Sequence, residues 1–290
     1  MATNTPFGQR LGLVLEGGAM RGIYTAGVLD VFLEAGIMPD VVVGVSAGAL
    51  HGCSYVAGQK GRSIRYYRKY RSDKHFMGLY SLLTTGDVVG TKFCYEDIPL
   101  RLDPFDEAAF EKAPVDFYVT VTNVRTGQPE YILCDELKVG SKMDVIRAGA
   151  SMPLCSKMVE WNGNLYLDGG VSDSIPYAKM KDFGCRKSIV VLTQPAGYLK
   201  QPAAMAPFEA MYRKYPAFVE AMRGRDQMYN TEVCAVEQAA KQGDVFLIRP
   251  SKLLHVGRME HDIEVLNAQY ELGRQDARNQ MDAMREWMER

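Results

Sequence analysis

Short apolar runs alternate with longer mixed segments in the first third of the chain. LGLVL at residues 11–15 is an aliphatic run and VVVGV at 41–45 is rich in valine, and both suit buried strands. The segment 23–36 predicts a helix that ends at Gly36, and the residues after Ser46 predict a second helix. Strands that alternate with helices over short connections indicate three layers, with helices on both faces of a mainly parallel sheet.

Later segments extend this pattern. MDVIRAGASM at 143–152 predicts a helix that Pro153 stops, and residues 158–170 predict a hairpin with an Asn-Gly turn. Two more helical stretches lie in the C-terminal portion, the second ending in NQMDAMREWMER. Further strands are predicted at residues 116–124, 130–134, 187–194 and 245–250, the first two joined by a turn at Thr126-Gly127.

Composition limits the class of protein. The 290 residues are 47% hydrophobic and 24% charged, which is ordinary for a globular protein with a sizeable core. The net charge of −1 gives no electrostatic case for nucleic-acid binding. Six scattered cysteines favour a reducing compartment, and we expect no metal and no cofactor. Residues 1–10 lack a signal-peptide pattern and no apolar run reaches 18 residues, so we expect a cytoplasmic protein.

No internal repeat or low-complexity segment divides the chain. We therefore expect one domain over residues 1–290, with a core at about 11–195 and a mainly helical C-terminal portion at about 196–290.

GVSAG at residues 44–48 places Ser46 between a predicted strand and a predicted helix. The chain must turn sharply there, and Gly44 and Gly48 leave room because they have no Cβ. This G-x-S-x-G pattern can expose a nucleophilic serine. The alternative is a tight turn in which Ser46 caps the helix.

EGGAMRG at residues 16–22 follows the first strand. Its glycines let the backbone approach a ligand closely, and its N–H groups and the following helix can face an anion. The loop alone does not distinguish an oxyanion hole from a phosphate cradle or a purely structural turn.

A nucleophilic serine needs a base, and histidine is the usual one. His51 is on the same predicted helix as Ser46 and points elsewhere, and His75, His255 and His261 lie in polar surroundings. Asp168, in YLDGGVSDSIP, is another candidate, because a dry pocket would raise the pKa of its carboxyl group towards that of a useful base. The alternative for Asp168 is a structural Asp-Gly turn.

Together, GGAMRG, GVSAG and DGG occur in the order found in patatin-like phospholipases, and the chain resembles that family. The segment from Arg147 to Pro176 resembles the family's approach to its aspartate, and the likeness extends over about residues 11–195. YRKYP, RDQMYN, FLIRPS and YELGRQDA in the C-terminal portion resemble a bacterial subgroup. Ala19 departs from the pattern, since many members have a third loop glycine there, and a positive φ at an alanine would be strained.

The resemblance implies a patatin-like α/β fold and a Ser–Asp dyad. Ser46 would be the nucleophile and Asp168 its base, without a histidine between them. The N–H groups of Gly17 and Gly18 would hold the oxyanion, and Ala19 and Arg21 complete the implied oxyanion or substrate-binding loop. Arg21 could steady this loop or meet a lipid phosphate.

Two segments bear on the surface. GRSIRYYRKYR at 61–71 could rest a basic, tyrosine-bearing face on anionic lipid headgroups, or it is a solvated face. Residues 205–222 predict an amphipathic helix, kinked or split at Pro216, that packs on the core or covers a lipid site.

We expect a serine acyl hydrolase of lipid esters, of the phospholipase A or lysophospholipase type, whose partner is its lipid substrate and which could contact a membrane peripherally. The alternatives are a carboxylesterase or thioesterase acting on soluble esters, and a non-catalytic protein that binds lipid or an anion.

Overall fold

All the strands predicted from the sequence form, and they join into one eight-stranded sheet. The computed structural model describes residues 8–290, so most of the segment 1–10 lies outside the described residues. The strands are β1 (Arg10–Leu15), β2 (Val41–Val45), β3 (Asp116–Asn123), β4 (Pro129–Leu133), β5 (Val159–Trp161), β6 (Asn164–Asp168), β7 (Cys185–Val191) and β8 (Val245–Ile248).

Eleven α-helices within residues 8–290 accompany the sheet. They are α1 (Ile23–Glu34), α2 (Ala47–Val56), α3 (Arg62–Tyr70), α4 (Leu79–Thr85), α5 (Glu107–Lys112), α6 (Met143–Gly149), α7 (Ala206–Met211), α8 (Pro216–Arg223), α9 (Arg225–Gln242), α10 (Ile263–Asn279) and α11 (Met281–Glu289). The other helical segments are three short 3₁₀-helices at Ala19–Gly22, Gly169–Val171 and Ala178–Lys181, and a ten-residue π-helix at Phe93–Leu102.

Hydrogen-bonded pairs link the strands in the order β5-β6-β3-β2-β1-β7-β8, and β4 pairs with β3. The pairs among β8, β7, β1, β2 and β3 are parallel, while β4, β5 and β6 pair antiparallel. Alternate side chains of the strands enter different cores: Leu13 and Leu15 pack on the side of α1, α2 and α10, and Val14 packs on the side of α9. Helices therefore cover both faces, which confirms the three-layer α/β prediction.

One edge of β3 carries two strands. β4 pairs with Tyr118–Thr122 on one edge, so β2, which pairs with 116–120, and β6, which pairs with 121–123, must share the other edge. β2 runs parallel to β3 and β6 runs antiparallel. The carboxyl ends of β2 and β6 therefore meet, which brings the residues after Val45 beside Asp168.

Several local expectations are confirmed. The β5–β6 hairpin turns at Asn162 and Gly163, with φ of 46° and 75°, as a turn with two positive φ values requires. The amphipathic segment 205–222 splits into α7 and α8 at Pro216 and packs mainly on the core through four buried side chains: Tyr212, Phe218, Val219 and Met222.

The helix predicted at 143–152 is too long. α6 ends at Gly149, well before Pro153, because the carbonyl of Ser151 accepts a hydrogen bond from the N–H of Asp168 at 2.9 Å. The chain there leaves the helix to contact the end of β6. The second of the C-terminal helical stretches is interrupted at Gln280, between α10 and α11, and the sequence did not predict the helical pieces α4, α5 and the π-helix.

Residues 61–71 were predicted to form a basic surface that faces either lipid headgroups or solvent. For two of the arginines both alternatives are wrong, because these side chains are buried. Arg62 and Arg71 are each 5% exposed, and the guanidinium of Arg62 donates to the carbonyl of Asp103 at 2.9 Å. One side of α3 packs into the protein and buries all three of its tyrosines, Tyr66, Tyr67 and Tyr70. The other side is exposed and carries Arg65, Arg68 and Lys69.

Within residues 8–290, every helix is too short or too polar to cross a lipid bilayer. That 1–290 is a single domain stays a prediction, but one contact ties the C-terminal portion to the core. α1 and α10 cross at two glycines: a Cβ at Gly27 would lie 2.1 Å from the carbonyl oxygen of Tyr270, and a Cβ at Gly273 would lie 2.1 Å from that of Tyr24. Only glycine permits this approach.

We expect Gly273→Ala to destabilise the protein by about 2 kcal/mol or more, because the added methyl group separates α10 from α1. In a helix without this contact the same change stabilises by up to about 1 kcal/mol, so the sign is informative. Urea unfolding measures the difference. Gly224→Ala is the control, since Gly224 has a φ of −83° and its nearest neighbour would lie 3.8 Å from the added Cβ. Equal stability of the two variants would contradict the close helix contact.

Candidate active site

Ser46 stands alone between the last residue of β2 and the first of α2. Its φ of 53° and ψ of −122° form a sharp, strained turn. A Cβ at Gly48 would lie 2.3 Å from the carbonyl oxygen of Leu15, and a Cβ at Gly44 would lie 2.5 Å from the Cα of Ala49. Both glycines are therefore required for the turn, as the sequence predicted.

Asp168 ends β6 and is held on its backbone from two sides. Its N–H donates to the carbonyl of Ser151 at 2.9 Å, and its carbonyl accepts from the hydroxyl of Thr122 at 2.8 Å. These bonds fix the residue where β6 meets the end of β2.

The Ser46 hydroxyl donates to Oδ2 of Asp168 at 2.5 Å. Both residues are buried, at 8% and 6% exposure. Oδ1 of Asp168 accepts from the N–H of Gly170 at 2.8 Å, so the carboxylate makes the Asp-Gly turn and contacts the serine with different oxygens. The two interpretations of Asp168 left open by the sequence are thus not exclusive.

Burial raises the pKa of the Asp168 carboxyl above its usual range. The hydrogen bond from Ser46, the charge of Arg225 and the N–H of Gly170 act in the opposite direction and are smaller. A carboxylate with a raised pKa is a stronger base, and it lies within hydrogen-bond reach of a hydroxyl proton.

The glycine loop packs directly against the serine. A Cβ at Gly17 would lie 2.8 Å from the Cβ of Ser46, and one at Gly18 would lie 2.7 Å from the hydroxyl of Thr193. Among the described residues, no acceptor hydrogen-bonds the N–H of Gly17 or Gly18. Ala19 follows with a φ of 49°, so the strain considered for this alanine is present.

Glu16 is a residue of this loop that sequence reasoning missed. It is buried, and its carboxylate accepts from the N–H of Thr193 at 2.5 Å and from the hydroxyl of Tyr229 at 2.9 Å. Burial raises the pKa of the Glu16 carboxyl. Glu16 thereby fastens the glycine loop to the end of β7 and to α9. Its only signal was its place immediately before two glycines.

An apolar cavity of about 100 Å³ opens on one side of Ser46. Aliphatic and aromatic side chains from several helices form its wall. They include Met20, Leu50, Tyr67, Phe76, Ile98 and Met152.

A second cavity of about 180 Å³ also reaches Ser46, and we call it the polar cavity because charged side chains lie in its wall among apolar ones such as Phe208 and Met222. Its wall contains the carboxylates of Glu16 and Asp168 together with four cationic side chains. These cationic residues are Arg21, Lys200, Arg225 and Arg258. Ser46 and Ala19 line both cavities, so a molecule at the serine could place an apolar group in the first cavity and a charged group in the second.

None of the four histidines lies in either cavity wall within the described residues. His51 is buried, its Nδ1 lies 3.0 Å from the hydroxyl of Ser63, and burial lowers its pKa to about 4. His75 lies 2.8 Å from Asp73 at the surface. Among the described residues, the hydrogen bond between Ser46 and Asp168 therefore forms without a histidine between them, and their action as a catalytic dyad stays a prediction.

Comparison with family models gives a match to patatin-like phospholipases over residues 13–180. The matched region contains the glycine loop, Ser46 and Asp168. The chain belongs to the patatin-like phospholipase family. A second model, a domain of unknown function called DUF6363, matches residues 215–289, which include α9, β8, α10 and α11.

Relatives of this patatin-like protein include YjjU of Escherichia coli, an uncharacterized protein that is 28% identical over 91% of this chain and 75% of its own length. Lysophospholipase nte1 of Aspergillus terreus is 30% identical over 61% of this chain, and lysophospholipase NTE1 of Saccharomyces cerevisiae is 30% identical over 63%. The match covers only 11% of each of these two proteins. Among solved structures, VipD from Legionella pneumophila aligns with 96% of this chain and 67% of its own at a TM-score of 0.47 and 13% identity.

No group of three histidine, cysteine or acidic side chains in the described region of this patatin-like protein is arranged to hold a metal ion.

The raised pKa of Asp168 predicts the pH dependence of serine reactivity. The carboxyl group must be ionised to accept a proton, so the rate at which a fluorophosphonate labels Ser46 falls as the pH drops through this pKa. Below it we expect a loss of about tenfold per pH unit. The fall begins at a higher pH than an ordinary aspartate would give.

Intact-mass labelling over a pH series measures this profile, with circular dichroism at each pH as the check on folding. His75→Gln, a surface change, leaves the profile unaltered. A rate that stays flat down to the range of an ordinary aspartate would contradict the raised pKa.

Proposed function

We propose that this protein is a serine acyl hydrolase of lipid esters, of the phospholipase A or lysophospholipase type, with Ser46 as nucleophile and Asp168 as base. The observation that carries the proposal is the 2.5 Å hydrogen bond from the Ser46 hydroxyl to Asp168 at the junction of an apolar and a polar cavity. Membership of the patatin-like phospholipase family supports it, as do relatives named lysophospholipases.

In the first half of the reaction, Oγ of Ser46 attacks the carbonyl carbon of the ester while Oδ2 of Asp168 takes the hydroxyl proton. The tetrahedral oxygen receives hydrogen bonds from the N–H groups of Gly17 and Gly18, which have no acceptor among the described residues. Donors of this kind contribute about 3 kcal/mol each in other hydrolases. Ala19, with its positive φ, keeps the loop turned against Ser46.

The alcohol then leaves with the proton from Asp168, and the acyl group stays on Ser46. In the second half, the Asp168 carboxylate takes a proton from water, whose oxygen attacks the acyl carbon. Collapse of this intermediate returns the proton to Ser46 and releases the fatty acid.

The apolar cavity beside Ser46 would bind the acyl chain of the substrate. Each CH₂ group that enters it contributes about 0.8 kcal/mol. A long acyl chain is therefore favoured over a short one until the cavity is full, which separates a lipid hydrolase from an esterase of short soluble esters.

We expect the fluorophosphonate to label the wild-type protein at Ser46 and to leave Ser46→Ala unlabelled. Asp168→Asn should label about a thousandfold more slowly, since general-base assistance contributes roughly 10²- to 10⁴-fold. Intact-mass spectrometry followed by peptide mapping measures both effects. Ser251→Ala and Asp182→Asn change exposed residues of the same types and serve as controls.

Labelling of Asp168→Asn at the wild-type rate would require another base. A wild-type protein that takes no label would instead favour the non-catalytic lipid- or anion-binding alternative.

Narrowing the apolar cavity should change the chain-length preference. Leu50 lines that cavity and is only partly buried, so a tryptophan there can block the cavity while the core stays intact. Exclusion of about two CH₂ groups lowers kcat/KM about tenfold for dodecanoyl p-nitrophenyl ester and leaves the butanoyl ester nearly unchanged.

Leu50→Met, of similar volume, is the matched control. If both esters were affected equally, the cavity would not be the acyl site, and a wild-type preference for butanoyl or thioester substrates would favour the esterase or thioesterase alternative.

A further inference from the structure

Four cationic side chains reach the wall of the polar cavity from separate segments of the chain, and we call them the cationic cluster. They are Arg21 of the glycine loop, Lys200 after β7, Arg225 at the start of α9, and Arg258 in the loop before α10.

The cluster has no carboxylate partners of its own. Within residues 8–290 none of its four members forms an ion pair, whereas arginines such as Arg65 and Arg274 pair with nearby acids. The two carboxylates of the cavity are already engaged: Glu16 by Thr193 and Tyr229, and Asp168 by Ser46 and Gly170. Four cationic side chains therefore face only two carboxylates in the wall of this cavity, so positive charge is in excess there among the described residues.

Arg21 supplies an independent sign of a missing ligand. Its Nε is buried and has no hydrogen-bond partner among the described residues. Buried polar groups are nearly always hydrogen-bonded, and an unpaired charged donor is the most costly kind. Arg21 is part of the wall of the polar cavity, so an anion bound there could pair with its guanidinium group.

The other three members are held in position by the C-terminal portion. Nε of Arg225 donates to the carbonyl of Gly170 at 2.5 Å, two residues after Asp168. The backbone of Lys200 exchanges two hydrogen bonds with the side chain of Asn230, at 2.9 and 3.1 Å, and its ammonium lies 4.2 Å from the ring centre of Tyr229.

The loop that carries Arg258 is anchored by a buried arginine at the end of α3. Arg71 donates to the carbonyls of Met259 and Glu260 at 2.8 and 2.7 Å. Arg71 is therefore buried because it binds the backbone of the residues next to Arg258, and this contact holds the loop in place.

We propose that the cationic cluster binds the phosphate of the ester's head group while the acyl carbonyl lies at Ser46. This rests on the proposed hydrolase function and deepens it. A phosphate offers oxygen acceptors that suit guanidinium and ammonium donors, and the cluster lies in the same cavity wall as Ser46 and Asp168. Two of its members lie in the segment matched by DUF6363, so that segment completes the substrate site.

The charge balance also sets the kind of head group. The ammonium of a zwitterionic head group would find cations around it and no free carboxylate to pair with. A phosphate monoester, with its second negative charge, is therefore preferred over phosphocholine, and both are preferred over a neutral glyceride.

The first test measures binding without turnover. Calorimetry with wild-type protein should detect glycerol 3-phosphate and give weaker binding of glycerophosphocholine. Lys200→Gln and Arg258→Gln should each weaken glycerol 3-phosphate about tenfold, as loss of one charge-assisted hydrogen bond predicts, and Arg258→Lys should restore some of the loss. Lys241→Gln and Arg186→Gln remove exposed charges at the far ends of α9 and β7 and should bind as wild type. Absence of binding, or equal binding by all variants, overturns the proposal.

The second test measures turnover of monomeric octanoyl lysophosphatidic acid, lysophosphatidylcholine and monoacylglycerol. We expect kcat/KM to fall in that order, and Lys200→Gln and Arg258→Gln to reduce the preference for the phosphate esters over the glyceride about tenfold. The fluorophosphonate labelling rate of Ser46 should not change in the Lys241→Gln and Arg186→Gln controls, whose charges lie outside the cavity wall. Inorganic phosphate should compete with lysophosphatidic acid, and non-competitive inhibition would assign the cluster to free phosphate and overturn the head-group proposal.

The two tests separate this proposal from the hydrolase function. One outcome is that Ser46 is labelled and the glyceride is hydrolysed, while every variant keeps the substrate preference of the wild type. This outcome would refute the phosphate subsite and support the hydrolase function. The opposite outcome is that the protein binds glycerol 3-phosphate through Lys200 and Arg258 but is not labelled and hydrolyses no ester. This outcome would refute the hydrolase function and support the phosphate site.

Discussion

One edge of β3 holds the site together, because β2 and β6 meet end to end along it. Val45 pairs with Thr120 and Asp168 pairs with Val121, and successive residues of a strand are only about 3.3 Å apart. The serine that follows Val45 and the aspartate that ends β6 therefore cannot separate unless the ladder breaks. In a purely parallel sheet all the strands point the same way, so two strands on one edge of a third could not meet with their carboxyl ends facing each other. The antiparallel hairpin aims Asp168 back at Ser46.

Backbone strain is concentrated at the same place. Ser46 and Ala19 both have positive φ, a conformation that costs about 1–3 kcal/mol where the surrounding structure enforces it. The enforcing contacts are glycine approaches on each side: Gly48 against Leu15, and Gly17 against Ser46. The strained turn is thus set during folding, and the hydroxyl of Ser46 is oriented towards Asp168 before any ligand arrives.

The sequence predicted what depends on local pattern. Short apolar runs identified β1, β2 and β3, and the Asn-Gly turn identified the β5–β6 hairpin, because each pattern reflects chemistry within a few residues. The three motifs pointed to Ser46, Asp168 and the glycine loop, which the structure brings together, while the catalytic roles implied by the family resemblance stay predictions. The boundary of α6 failed because a hydrogen bond from Asp168 to the carbonyl of Ser151 redirects the chain, and that bond depends on tertiary packing. The charged residues of the polar cavity were harder to assign for the same physical reason. They lie far from one another in the sequence, and the packing of α9 and of the loop before α10 brings them to one cavity. These residues are Glu16, Lys200, Arg225 and Arg258.

Arg225 links the two proposals. Its positive charge lowers the pKa of Asp168, against the larger effect of burial, and its Nε bonds to Gly170 next to the Asp168 turn. A phosphate bound by the cationic cluster would offset that positive charge and so raise the pKa of Asp168 further. Asp168 would then be a stronger base when a phosphate-bearing substrate is present than when the cavity holds only water. The C-terminal portion would thereby contribute to the strength of the base as well as to recognition.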